Sequence, residues 1–136
     1  MRVRATDIDI LARTIHGEAR GEPLEGKIAV ANVVMNRLKA NKWFSGKTIA
    51  ETCLLKSQFS CWLRGDPNRK IIDDVTLDDI NFQDSMYVAL GVVKGYLKDN
   101  TRGSSHYCVD TITPDWAEDQ IPVAHIGKHK FYRDIS

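Results

Sequence analysis

The sequence predicts an α+β fold, mostly helical, with a small β portion at its C-terminal end. Two observations carry this. Up to about residue 98, apolar residues recur at helical spacing, as Ile8, Leu11, Ala12, Ile15 and Ala19 do at offsets 0, 3, 4, 7 and 11. After Gly103 the period drops to two, and Ser105, Tyr107 and Val109 alternate with His106 and Cys108. The chain has 136 residues and no internal repeat, low-complexity tract or linker, so a single domain is expected over residues 1–136.

Thr6 and Asp9 form a capping-box-like pair ahead of the first apolar turn. Helix one is therefore expected from Asp7 to about Arg20, with Gly21 taking a left-handed cap. Pro23 suits the first position of helix two, which runs to about Ala40. Ile28, Val30, Ala31, Val33, Val34, Met35 and Leu38 leave that helix little polar face, so it is expected at the buried centre. Asn32 and Asn36, its polar exceptions, are expected to be hydrogen-bonded for structure. Trp43 to Gly46 reads as a turn, and Thr48 as the N-cap of a short helix ending at Leu54. Arg64 to Arg69 is turn-forming and exposed. A final helix is expected from Phe82 to Lys98, capped by Asn81, with Met86, Ala89, Leu90, Val93 and Leu97 inward. Gly91 and Gly95 would permit a close helix contact there. Lys130 to Arg133 is a second short strand candidate.

Composition narrows the function class. Hydrophobic residues make up 43% and charged residues 27%, ordinary for a globular protein, and the formal net charge of +1 lacks the basic excess of a nucleic-acid binder. Cys53, Cys61 and Cys108 have no paired CxxC spacing, which argues against structural zinc and for reduced thiols. The N-terminus has basic residues but no apolar h-region, so no secretory signal is expected, and no apolar run reaches the ~20 residues of a membrane span.

The residue most suited to chemistry is Glu18, in the run Arg13-Thr14-Ile15-His16-Gly17-Glu18-Ala19-Arg20-Gly21-Glu22-Pro23. At about 100° per residue it lies roughly 20° from Leu11, on the border of the apolar stripe. A carboxyl aimed there is desolvated and favours its neutral acid form, the state of a general acid. An ordinary edge-of-stripe glutamate would snorkel to water, and position alone favours that bland reading. Glu25 is read as a first-turn acid of helix two, and Glu22 stays open between structure and site. No second carboxylate has a motif to recommend it.

The run from Ala12 to Arg37, ARTIHGEARGEPLEGKIAVANVVMNR, resembles the opening of the SleB/CwlJ-type cell-wall hydrolases, the spore-cortex-lytic family. Gln58-Phe59-Ser60-Cys61-Trp62, Ser105-His106-Tyr107, Trp116 and the segment from Ile126-Gly127 to Phe131-Tyr132-Arg133 extend the resemblance, in the family's order, from about Asp7 to Arg133. The resemblance implies a lysozyme-like, transglycosylase-like domain that cleaves peptidoglycan glycan strands. It further implies Glu18 as the catalytic acid and base at the MurNAc-β-1,4-GlcNAc bond, with no cofactor and no metal. In such enzymes one glutamate protonates the leaving oxygen, and the sugar's 6-hydroxyl closes a 1,6-anhydro ring as the glutamate takes a proton back. Gln58, Ser60 and Tyr107 are implied neighbours of Glu18, with His106 beside them. Trp62 and Trp116 are residues that can stack on sugar rings or pack in the core, while Phe59 is expected to face the core. Lys27 stands where a glutamine is expected. It follows Glu18 on the next helix, which puts little in doubt.

A hydrolytic muramidase, using water in place of the 6-hydroxyl, is the alternative within this class. A non-catalytic peptidoglycan-binding or assembly module is the alternative outside it. Cys61 or Cys108 with His106 would make a peptidase pair, but neither cysteine precedes a helix start that would lower its pKa. His125 and His129 have the spacing of a zinc helix, but the glutamate of that motif is missing and Gly127 interrupts the helix. The expected partner is the peptidoglycan polysaccharide, with no nucleic acid and no membrane, and the expected state is a monomer. The bare sequence favours a phage endolysin, made in the cytoplasm and released when another protein opens the membrane. The alternative origins are a bacterial enzyme exported by other means and a mature fragment without its signal.

Overall fold

The computed structural model describes residues 2–56 and 58–136. Five helices precede a three-stranded sheet: α1 (Ala5–Ala19), α2 (Leu24–Ala40), α3 (Ile49–Leu54), α4 (Pro67–Asp74), α5 (Ile80–Lys94), β1 (His106–Val109), β2 (Ala124–Ile126) and β3 (His129–Tyr132). Short 3-10 turns occupy Ser60–Trp62 and Asp115–Ala117. The α+β reading and the division at Gly103 both hold.

α1 is the hub of the helical body, packed against α2, α3, α4 and α5. Leu11, Ala12 and Ile15 are fully buried and Ala19 nearly so, which is the stripe read from the sequence. Removing each large apolar side chain from water contributes about 1.5–3 kcal/mol. The start of α1 departs from expectation. The cap is Arg4, whose backbone N–H donates to Asp7 Oδ2 at 2.9 Å, while Asp7 Oδ1 accepts from the Ala50 N–H at 3.0 Å. Asp7 thus closes the first turn and ties α3 to it, which Thr6 and Asp9 do not do. At the other end, the N–H of Arg20 bonds the His16 carbonyl with Arg20 still in right-handed helical geometry, so Gly21 is not a left-handed cap.

α2 is buried nearly all round, as its composition requires, and ends in a left-handed Asn41 at φ 53°. Asn32 donates to the Ile28 carbonyl at 3.0 Å, and Asn36 donates to Asp99 and to the Ser104 carbonyl at 2.9 Å each, so both asparagines are structural. Thr48 caps α3 through the Glu51 N–H. The segment expected as an exposed turn is a turn only as far as Asp66. Asp66 then caps the helix α4, with Pro67 in its first turn. A proline there fixes the right φ and lacks only an N–H that would have no helical partner. α5 starts earlier than expected, with Asp79 rather than Asn81 as cap, and stops at Gly95 with φ 84°. Leu90 faces outward, 42% exposed, while Leu97 folds back from beyond the helix end against Gly91. The two glycines therefore seat Leu97 and end the helix; they do not join a helix pair.

Asp99 organises the passage from helices to sheet. Burial acts to raise its carboxyl, but hydrogen bonds from Thr101, Asn36 and the Gly103 N–H outweigh it and hold the group below its ordinary value. The sheet has the order β1-β3-β2, all antiparallel, with Tyr107 opposite Phe131, Val109 opposite His129 and Ala124 opposite Phe131. β2 has no counterpart among the elements expected from the sequence. The alternation of strands puts Tyr107, His129 and Phe131 on one face. Phe131 packs there with Ala29 and Val33 of α2, docking the sheet on the central helix. Cys108 and Tyr132 face the other way, into a small cluster with Trp116, Ala117 and Ile135.

Candidate active site

Glu18 sits in the last turn of α1, at the border of the buried stripe and partly exposed. A residue with any side chain at Gly17 would prevent this placement. A methyl group built there would lie 2.7 Å from Cys61 Cβ and 3.1 Å from Ile72 Cγ2, so the backbone beside Glu18 rests directly on the Ser60–Trp62 turn and α4. Across from it, the Tyr107 hydroxyl of β1 donates a hydrogen bond to Glu18 Oε1. Burial, then the charge of Glu18 and this hydrogen bond, push the Tyr107 phenol well above its ordinary value, so it stays protonated and remains a donor.

Each member of this pair lines a cavity. The first, of about 380 Å³, is lined by Gly17, Glu18, Ala19, Arg20, Gly21, Glu22, Asn68, Lys128 and His129. The second, of about 350 Å³, is lined by Arg37, Trp43, Gln58, His106, Tyr107, Trp116, Ile135 and Ser136. The Tyr107 to Glu18 hydrogen bond joins their linings.

In the second cavity Arg37, only 5% exposed, donates from Nε to the Ser105 carbonyl at 2.6 Å and from Nη1 to Gln58 Oε1 at 3.3 Å, with its guanidinium 4.7 Å from the centre of the Phe59 ring. Burial pulls Arg37 below arginine's ordinary value, while Tyr107, Glu18 and Cys53 act to hold it up. A fixed positive charge therefore lies behind the Tyr107–Glu18 pair. His106 is buried between Phe44 and Trp116, with Nδ1 2.9 Å from Ser105 Oγ. Burial, then Arg37 and Lys42, lower its pKa to about 4, so it is neutral near pH 7.

In the first cavity Glu22 Oε1 lies 3.3 Å from His129 Nδ1, with the two side chains 12% and 14% exposed. The turn that carries Glu22 is held by Lys27, whose Nζ donates to the carbonyls of Glu22 at 2.6 Å and of Arg20 at 3.2 Å. Lys27 is 3% exposed, so its ammonium closes the end of α1 from inside the protein. Its substitution for the expected glutamine thus bears directly on the turn after Glu18.

The structure brings Tyr107 against Glu18, and places Gln58 and His106 one step behind, in the second cavity. Ser60 is exposed and lines neither cavity. Trp62 is tied to the helical body instead: its Nε1 donates to Thr14 Oγ1 at 2.9 Å and Arg69 stacks on its ring. Trp116 does line the second cavity. Phe59 is 3% exposed and faces the core. His125 and His129 stand on different strands and face Asp110 and Glu22, so their spacing is not that of one helix turn.

Sequence reasoning misses Arg37 and the pairing of Glu22 with His129. Arg37 carries a signal, because it falls at helical spacing from Val30, Val33 and Val34, and a charge on a buried stripe needs a reason. Glu22 carries none, since it lies in the turn, where no period applies.

The sequence model for the family described as cell wall hydrolase matches residues 21–132, beginning just after Glu18. The spore cortex-lytic enzyme of Oceanobacillus iheyensis is 34% identical over 131 residues, which cover 92% of this chain and 41% of that protein. That of Bacillus subtilis is 33% identical over 129 residues, 92% of this chain and 37% of the relative. The chain thus spans about two fifths of the length of the curated relatives it matches. Among solved structures, the catalytic domain of the germination-specific lytic transglycosylase SleB from Bacillus anthracis superposes with a TM-score of 0.73 at 25% identity, covering 96% of this chain and 97% of that one. The catalytic domain of the Bacillus cereus SleB protein shares the fold, with a TM-score of 0.72 at 22% identity.

Proposed function

The chain belongs to the cell wall hydrolase family, and on that premise we propose that it cleaves peptidoglycan glycan strands as a lytic transglycosylase, with Glu18 as its acid and base. The observation that carries this is the Tyr107 hydroxyl on Glu18 Oε1, with Glu18 lining one cavity and Tyr107 another. A carboxyl fixed by one oxygen leaves the other for the substrate. In its acid form it protonates the oxygen between MurNAc and GlcNAc, and the bond to the anomeric carbon breaks through an oxocarbenium-like transition state. The carboxylate so formed takes the proton of the MurNAc 6-hydroxyl as that oxygen closes the 1,6-anhydro ring. The attacking hydroxyl belongs to the same sugar and is held at high effective concentration, so no protein base for water is needed.

Tyr107 and the Arg37 charge behind it fit the second half of this cycle, since both stabilise Glu18 once it is ionised. The wall is the site of action in this reading, reached from the cytoplasm through a membrane lesion as a phage endolysin would reach it, or by another export route. No described helix is long and apolar enough to cross a membrane.

One observation favours the hydrolytic muramidase as a second reading: Glu22 shares the Glu18 cavity and is a second carboxylate of the kind that activates water. Mass spectrometry of digested glycan separates the two. The transglycosylase yields strands ending in 1,6-anhydro-MurNAc, lighter by one water than the reducing ends a muramidase leaves. Mainly reducible ends would overturn the transglycosylase reading.

A further inference from the structure

One face of the sheet holds both glutamates of the first cavity. Tyr107 and His129 stand edge to face with ring centres 5.2 Å apart, Tyr107 on Glu18 and His129 on Glu22. The chain of contacts Glu18, Tyr107, His129, Glu22 fixes the two carboxyls relative to each other through rigid rings. Glu22 is held from three further directions. Lys27 bonds its carbonyl, its own N–H bonds the Ala19 carbonyl at 3.0 Å, and the Gly127 backbone backs its carboxyl so closely that a methyl group there would lie 3.3 Å from Oε2.

The carboxylates that serve structure in this protein spend their oxygens on backbone N–H groups, the buried Asp7 on Arg4 and Ala50, and Asp99 on Thr101 and Gly103, with the Asn36 amide and Thr101 hydroxyl besides. Glu22 does not. Among the described residues its carboxyl meets one side-chain nitrogen, that of His129, and otherwise lines the cavity that Glu18 lines. A carboxylate accepts about four hydrogen bonds, so Glu22 keeps capacity for a ligand in the cavity it lines.

We propose that Glu22 is a substrate-binding residue: oriented through Oε1 by His129, it accepts hydrogen bonds from a hydroxyl or acetamido N–H of the sugar next to the bond that Glu18 cleaves. This rests on the glycan-cleft reading of the site and adds to it a second residue in direct contact with the sugar. The role is acceptance of hydrogen bonds, so glutamine, which keeps a carbonyl oxygen, serves in part, and alanine does not.

The test is calorimetric binding of the β-1,4-linked tetrasaccharide of N-acetylglucosamine in a Glu18→Gln background, where cleavage does not interfere. Adding Glu22→Ala is expected to raise Kd about tenfold or more, the loss of a hydrogen bond to a charged acceptor. Adding Glu22→Gln is expected to raise it no more than about threefold. Glu25→Gln, on the exposed first turn of α2, serves as the control and leaves Kd unchanged. If Glu22→Ala lowers the melting temperature enough to compromise the fold, His129→Gln replaces it, with a smaller rise in Kd expected and no rise overturning the proposal. Unchanged binding by Glu22→Ala, or equal losses from Gln and Ala, overturns the binding role while leaving the glycan cleft standing. Failure of the Glu18→Gln protein itself to bind the tetrasaccharide overturns the glycan cleft and the proposal with it.

Discussion

Tyr107 reaches back across 89 positions of sequence to place its hydroxyl on Glu18. In the proposed mechanism that bond divides the work of the pair: the glutamate exchanges a proton with the substrate, and the phenol keeps its own and orients the glutamate. Glu18→Gln is therefore expected to fold normally and lose nearly all lytic activity, because the amide keeps the size but not the transferable proton. Tyr107→Phe is expected to retain activity reduced by about 10–100-fold, the effect of losing one orienting hydrogen bond. Loss of turbidity in a wall suspension measures both, and clearing by the Glu18→Gln variant at the wild-type rate would remove Glu18 from its role.

Gly17→Ala tests the contact beneath the site. Its methyl group would press on the Cβ and Sγ of Cys61, which is fully buried, and on Ile72. A loss of about 1–3 kcal/mol of stability in urea unfolding is expected, as for overpacking elsewhere. Activity per folded molecule is expected to fall as well, since the strain is relieved by moving the end of α1. Wild-type stability in this variant would show that the end of α1 rests more loosely on Cys61.

Thiol reagents are expected to leave activity intact under native conditions. All three cysteines are buried; burial pushes Cys53 up to about 12, and pushes Cys61 up as well, with Glu18 beside it adding to the effect. At pH 8 a thiol of that kind is thiolate in roughly one molecule in ten thousand. Rapid inactivation by iodoacetamide would revive a cysteine nucleophile.

Acid should weaken the fold through His106. In the unfolded chain it gains its proton as the pH falls through about 6.5, but in the native protein only near 4. Between those values the unfolded state binds more protons, so stability rises with pH and is lost as pH falls, by on the order of 3 kcal/mol across the window. His16, lowered chiefly by burial, acts in the same direction. Urea unfolding from pH 7 to 4 checks this, with a flatter profile expected for His106→Gln. An unchanged profile in that variant would assign the acid sensitivity elsewhere.

What is legible in the sequence is what one element determines alone. The stripe of α1, the buried centre of α2 and its end at Ala40, the cap at Thr48 and the core-facing Phe59 all follow from local period and local hydrogen bonding. The placement of Glu18 at the border of the stripe is legible in the same way, from its angle on α1. The partners of Glu18 and Glu22 are not, because β1 and β3 deliver them through strand register and docking on α2, which no local window contains. Trp62 shows the converse. An aromatic residue in a motif has the same pattern whether it meets a sugar or, as here, Thr14. Lys27 looks remote from the site in sequence, a helix away, yet folding brings its ammonium to the turn after Glu18.

Because the site is shared between the helical body and the sheet, no early folding unit contains it. α1 through α5 can gather around Leu11 and Ile15 through contacts among themselves, but Glu18 and Glu22 gain Tyr107 and His129 only when the last strands close a loop of most of the chain. Closing so long a loop is entropically uphill until the Phe131 contacts with Ala29 and Val33 form. Recovery of activity during refolding is therefore expected to track the docking of the last strands on α2 and not the formation of helix.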